Sequence, residues 1–306
     1  VIKVLIFTFT FTLSSLKAEA ETDMDSLKSE LLNATHDTTR ILLLFQIGNQ
    51  FLEGPSDSLI YYYQKALVSI DSFFSLPPEK LKHTDKKIVS AYRRYHFRAL
   101  NEIGIEKFFL GQYNESIDYA KRALKIAEEI GDIGMISECC GAIGIVYKNQ
   151  GKYSEALDYY QRALDLAIEL QDTSWMAACY ANAGNVYRRL GNFTKALDYL
   201  LQAYKVFEAT GEKRRMAIGL MNIGNLYEDQ KDDNKALEYY SRALQISYET
   251  NDYKRIAECL LNVGNIYLEQ KKYSLARENY EQSLKIHQEQ GFKHTLDDCY
   301  QNIGNA

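Results

Sequence analysis

Ala181-Asn-Ala-Gly-Asn-Val-Tyr187 is the stretch from which the architecture can be read. Close copies stand at Met221-Asn-Ile-Gly-Asn-Leu-Tyr227, Leu261-Asn-Val-Gly-Asn-Ile-Tyr267 and Gln301-Asn-Ile-Gly-Asn305, and a weaker one at Gly141-Ala-Ile-Gly-Ile-Val-Tyr147. The central glycines are Gly104, Gly144, Gly184, Gly224, Gly264 and Gly304, an unbroken step of 40 residues. Self-similarity at a fixed period marks a repeat array, in which each unit buries its apolar face against the next.

Each unit has the same internal order. A first helix carries the central glycine and an aromatic three residues on (Tyr147, Tyr187, Tyr227, Tyr267). A tight turn follows, marked by Gly111, Gly151 and Gly191 and by Lys231 and Lys271 in later copies. Tyr113, Tyr153, Phe193 or Tyr273 then opens a second helix with small residues seven apart: Ala156/Ala163, Ala196/Ala203, Ala236/Ala243 and Ala276/Ser283. Small residues let helices cross closely, and the aromatics fill the gaps between pairs.

These residues resemble the tetratricopeptide repeat, from about Leu42 to the end. The 40-residue step and the Asn-x-Gly-Asn core are most similar to the longer subclass seen in Leu-Gly-Asn repeat adaptors and kinesin light chain. The resemblance implies an all-α, right-handed superhelical solenoid of antiparallel helix pairs, with the first helices along its inner wall. It also resembles the exported sensor regions of bacterial signalling proteins.

The expected organisation is a signal peptide over residues 1–20, a polar capping segment over 21–38 and a divergent first repeat over 39–74. An insertion loop over 75–87 and a regular array over 88–306 follow. Lys3, the apolar run Val4 to Leu13 and Ala18-Glu19-Ala20 match the three parts of a secretory signal. The Phe-Thr alternation from Phe7 to Thr12 also fits an extended tail. In the first repeat, helices are expected at Leu42 to Glu53 and Ser58 to Phe73, with Asp57 as a cap. Pro77 and Pro78 end the second of these, and the charged residues after them read as a solvated loop, either a hinge or a tolerated insertion. The array stops inside a seventh unit, so an output domain such as a histidine kinase, cyclase or transcriptional regulator is expected beyond residue 306.

Composition narrows the function. A formal charge of −5 supplies no basic field for a phosphate backbone, so nucleic-acid binding is not expected. The five histidines have no metal-ligand spacing, and neither a phosphate loop nor a Gly-x-Ser-x-Gly elbow occurs, so the segment reads as non-catalytic and free of metal or other cofactors. Cys139, Cys179, Cys259 and Cys299 share one small-residue position of the repeat, and with Cys140 they read as structural thiols.

The asparagines are the candidate site. Asn182/Asn185, Asn222/Asn225, Asn262/Asn265 and Asn302/Asn305 lie three apart on one side of successive first helices. Arg189, Asp229, Glu258 and Glu269 extend that side. An amide both donates and accepts, which suits the alternating groups of an extended peptide backbone. The charged neighbours would add selectivity. The competing reading is that these amides bond the repeats to one another, or serve a structural self-association scaffold. With Glu102, Ile105, Ala142 and Ile145 in the equivalent upstream positions, a more apolar front section is expected. The expected partner is an extended peptide or protein segment, met in an exported setting, periplasmic or tethered to a membrane.

Overall fold

The structure is a computed structural model that describes residues 23–52, 55–291, 301 and 304. The expected signal peptide, Cys299, Asn302 and Asn305 lie outside the described residues. All regular structure among the described residues is α-helix, in two compact units, Val1–Leu170 and Gln171–Ala306.

Unit 1 holds α1 (Met24–Asn33), α2 (Asp37–Asn49), α3 (Ser56–Phe74), α4 (Pro78–His83), α5 (Lys86–Phe109), α6 (Tyr113–Ile130), α7 (Ile133–Asn149) and α8 (Tyr153–Glu169). Its pairs are α2–α3, α5–α6 and α7–α8, each packed on the next. Leu27 of α1 is buried against Leu43 and Ile47 of α2. The first helix of this repeat begins earlier than expected, at Asp37. Asp57 lies in the first turn of α3 rather than capping it, and Pro55 holds the N-cap position without a side-chain bond. The insertion is not all loop. The preceding helix stops at Phe74, and Pro78 sits at the first position of the six-residue α4, where its missing N–H costs nothing.

Unit 2 holds α9 (Thr173–Arg189), α10 (Phe193–Thr210), α11 (Lys213–Asp229), α12 (Asp233–Glu249), α13 (Tyr253–Glu269) and α14 (Tyr273–Gln290). Its pairs are α9–α10, α11–α12 and α13–α14. Caps recur with the repeat: Asp132, Asp172 and Asp252 accept from the backbone N–H three residues on, as do Asn192 and Asp232 at the turns within pairs. Each satisfies an N–H that the helix itself leaves open. The turn after the first helix also recurs in the regular repeats. Lys152, Asn192, Asp232 and Lys272 donate their N–H back to the carbonyls of Tyr147, Tyr187, Tyr227 and Tyr267 at 2.8–2.9 Å.

The central glycine has a specific job. A Cβ on Gly144, Gly224 or Gly264 would lie 2.6–2.7 Å from Cε1 of Tyr160, Tyr240 or Tyr280, the fully buried tyrosine of the partner helix. At Gly184 the intruding group is Leu200, with Cγ at 2.9 Å. The glycine is therefore a seat for one large side chain, which is why the helix tolerates its poor propensity there. Ala156, Ala163, Ala196, Ala203, Ala236 and Ala243 are all fully buried beside it.

Candidate functional site

In unit 2 the first helices stand side by side. α9 touches α11 and α11 touches α13, whereas second helices of neighbouring pairs meet at most marginally. The tighter row is the inner one, so α9, α11 and α13 form the inner wall of this unit. On it the structure places Asn182, Asn185, Asn222, Asn225, Asn262 and Asn265, all half-buried.

Their partners divide them into two sets. Asn225 Oδ1 accepts from the Tyr240 hydroxyl at 2.5 Å and from Asn262 Nδ2 at 3.3 Å, so that one amide joins α11, α12 and α13. Asn265 Oδ1 accepts from the Tyr280 hydroxyl at 2.9 Å. These three asparagines act as structural bonds. By contrast, no hydrogen bond to another described residue holds the side chain of Asn182, Asn185 or Asn222. For Asn185 the cause lies in the partner helix: Leu200 occupies the place of Tyr240 and has no hydroxyl to give.

The Tyr240 hydroxyl also lies 2.5 Å from Glu228 Oε2. One phenol proton cannot serve two acceptors, so Glu228 and Asn225 compete for it. Burial first, then the bond to Glu228, push the Tyr240 phenol above its ordinary range, and burial raises the Glu228 carboxyl.

The flanking charges are committed between repeats. Asp229 receives Arg188 Nη1 at 2.6 Å, and Glu269 receives Lys231 Nζ at 2.8 Å. Glu258 is paired within its own helix to Arg255. Arg189 stands exposed at the end of α9.

Unit 1 departs from the expected apolar front. The same face of its first helices carries Asn49, Arg98, Glu102 and Glu138. Asn49 Oδ1 accepts from the Tyr63 hydroxyl at 2.6 Å and from Arg98 Nη2 at 3.1 Å, and Asn101 Nδ2 donates to Glu138 Oε1 at 3.0 Å. The expectation rested on two columns of the repeat and left out the column one turn earlier, where Arg98 and Glu138 stand. Asn49 was visible too, in Ile47-Gly48-Asn49, with Tyr63 beyond it at nearly the spacing that separates Asn225 from Tyr240.

The thiols fit the structural reading. Cys139, Cys140, Cys179 and Cys259 are free and buried. Burial pushes Cys140 up to about 11 and Cys259 up to about 12, leaving both as protonated, poorly nucleophilic thiols at neutral pH. Among the described residues no group of His, Cys, Asp and Glu side chains is arranged to hold a metal ion.

With this geometry in hand, the comparisons agree. A tetratricopeptide-repeat family model matches residues 97–130, and the model for the soluble NSF attachment protein, SNAP, matches residues 114–295, more than half of the chain. The chain is a tetratricopeptide-repeat protein of the soluble NSF attachment protein family. A search by sequence among curated proteins finds no match. Solved structures share this family's helix-pair architecture at low identity. BtubC (BKLC) from P. vanneervenii aligns with a TM-score of 0.60 at 18% identity, covering 78% of this chain and 93% of its own. Aspartyl phosphate phosphatase F from Bacillus subtilis aligns at 0.61 and 16%, covering 95% and 78%. A Rap protein complexed with competence and sporulation factor aligns at 0.57 and 16%, covering 95% and 82%. At such identities the likeness is one of fold.

Proposed function

We propose that this chain is a non-catalytic scaffold that grips an extended peptide or protein segment along the inner wall of unit 2. Asn182, Asn185 and Asn222 are its first contacts. The observation that carries this reading is that these three amides are half-buried on adjoining first helices and make no side-chain hydrogen bond to another described residue, so their donors and acceptors are open to a ligand. A passing peptide backbone offers both the N–H and the C=O they lack. The fold accommodates a bound factor in one of its relatives, the Rap protein complexed with competence and sporulation factor. The signal-like composition of residues 1–20 supports a place outside the cytoplasm, as the sensory or adaptor part of a longer signalling protein.

A second reading, that the asparagines are glue, is favoured by the Tyr240–Asn225–Asn262 network and describes that half of the ladder. The two are separated by paired variants. Peptides selected from a random display library against the wild-type chain are measured on Asn182/Asn185/Asn222→Ala and on Asn225/Asn265→Ala. The first variant is expected to keep its melting temperature and lose at least about tenfold in affinity, as two or three lost hydrogen bonds imply. The second is expected to melt earlier. Unchanged affinity in the first variant removes the groove.

A further inference from the structure

The asparagine side of the first helices continues one turn toward their N-termini, to the position six residues before the central glycine. In the regular repeats that column reads Arg98, Glu138, Ala178, Ile218 and Glu258, with Leu42 in the divergent first one. Ala178 of α9 and Ile218 of α11 are its uncharged members within the regular array. They stand on the adjoining helices that carry the open amides. Each lies four residues before one of them, so Ala178 sits beside Asn182 and Ile218 beside Asn222. Both are half-buried. One turn earlier again, where α11 and α13 have Arg215 and Arg255, α9 has the half-buried Trp175. The ionic groups flanking this patch are committed to one another. Arg215 reaches Glu212 at 3.1 Å, Arg188 reaches Asp229 at 2.6 Å, and Glu258 is paired to Arg255.

A charged ligand side chain brought to this patch would find those ions already paired and would lose hydration. An apolar one would instead remove water from Ile218 and Trp175 as well as from itself. We propose that the segment held by unit 2 carries a large apolar side chain, seated over Ala178 and against Ile218, with its backbone on the three open amides. This rests on the groove reading above and adds the chemistry of the ligand. The small residue leaves the space, and the branched one closes it on the side of α11. In an extended segment successive side chains point to opposite sides, so the anchor and the residue two places from it face the wall. Selectivity is therefore expected at alternate positions of the ligand, with the residue between them free to vary.

The peptides selected by display on the full wild-type chain test the anchor. They are expected to share a side chain of leucine, methionine or phenylalanine size at one fixed position. Replacing that residue by serine in the peptide should weaken binding by roughly ten- to a hundredfold, a measurement that needs no altered protein. Ile218→Glu gives α11 the residue that the column already holds at Glu138 and Glu258, and is expected to cost at least about tenfold. Ala178→Leu fills the space and should move the selected side chain to a smaller one. Binding that needs Asn182, Asn185 and Asn222 but ignores both the anchor and Ile218 overturns the anchor and leaves the groove standing. Binding that needs the anchor and Ile218 but survives Asn182/Asn185/Asn222→Ala supports the apolar seat and overturns the amide grip. A selection that yields no binder overturns both.

Discussion

The pairs α9–α10 and α11–α12 carry the same Asn-x-Gly-Asn core one repeat apart, yet their second asparagines meet different fates. Asn225 is bonded to Tyr240 and Asn262, while Asn185 faces a partner helix that offers Leu200. Both Gly184 and Gly224 make room for the side chain at that place, so the seat is shared and only its occupant differs. A residue on the second helix therefore supplies or withholds one of the bonds that tie an asparagine of the first helix into the array. A repeat protein can change the bonding of one helix face from behind in this way, without altering the face itself.

The comparison breaks most visibly if the seat is filled. In Gly224→Val the new Cβ would lie 2.6 Å from Tyr240 Cε1, so the fully buried ring or the helix must shift. The expected cost is about 1–3 kcal/mol, read from denaturant unfolding of the full chain. Gly104 supplies the control. There Ala120 replaces the tyrosine, and a Cβ would meet Tyr119 Cβ at an ordinary 3.4 Å. Gly104→Ala should be neutral or stabilise by up to about 1 kcal/mol through helix propensity. Equal costs at the two positions would mean that the glycine does not serve as a seat.

A smaller effect comes from exchanging the occupants. Tyr240→Phe keeps the ring under Gly224 but deletes the hydroxyl, leaving Asn225 with Asn262 alone and Glu228 without its phenol. A loss of about 0.5–1.5 kcal/mol is expected, measured by the same unfolding curves. The reciprocal change, Leu200→Tyr, brings a hydroxyl toward Asn185. It should leave stability nearly unaltered while lowering affinity for the selected peptides by up to about tenfold, the equivalent of one hydrogen bond. If Leu200→Tyr leaves peptide affinity untouched, Asn185 is not part of the grip.

This dependence on a distant residue explains what the sequence could and could not disclose. The 40-residue period, the turns and the small positions are local patterns, and they were enough to identify paired helices and to put the asparagines on one side of successive first helices. The role of each amide was not local. Asn185 and Asn225 stand in closely similar stretches, and the bond that Tyr240 gives to Asn225 is missing at Asn185 because of Leu200, fifteen residues on and in another helix. Reading each column separately also hid the ionisable front of unit 1, since Arg98 and Glu138 fall one turn before the asparagine columns. Pro78 misled for a related reason, because a proline read only as a helix breaker can also stand at the start of a helix.

The smallest effect concerns the turns that follow these helices. After α9 the turn residue is Gly191 at φ 72°, whereas after α11 and α13 the same backbone is held by Lys231 at 61° and Lys271 at 58°. An L-residue in this left-handed region carries roughly 1–2 kcal/mol of steric cost that glycine avoids, offset in part by the greater freedom of glycine in the unfolded chain. Lys231 is the poorer probe because it also reaches Glu269 at 2.8 Å. Lys271→Gly is the cleaner one, with an expected gain of up to about 1 kcal/mol seen as a higher denaturation midpoint at unchanged slope. The turns of the bonded and the open pairs would then differ in sequence at an energetic cost and agree in shape. A loss of stability would instead mean that the lysine side chain contributes more at this turn than its backbone strain removes.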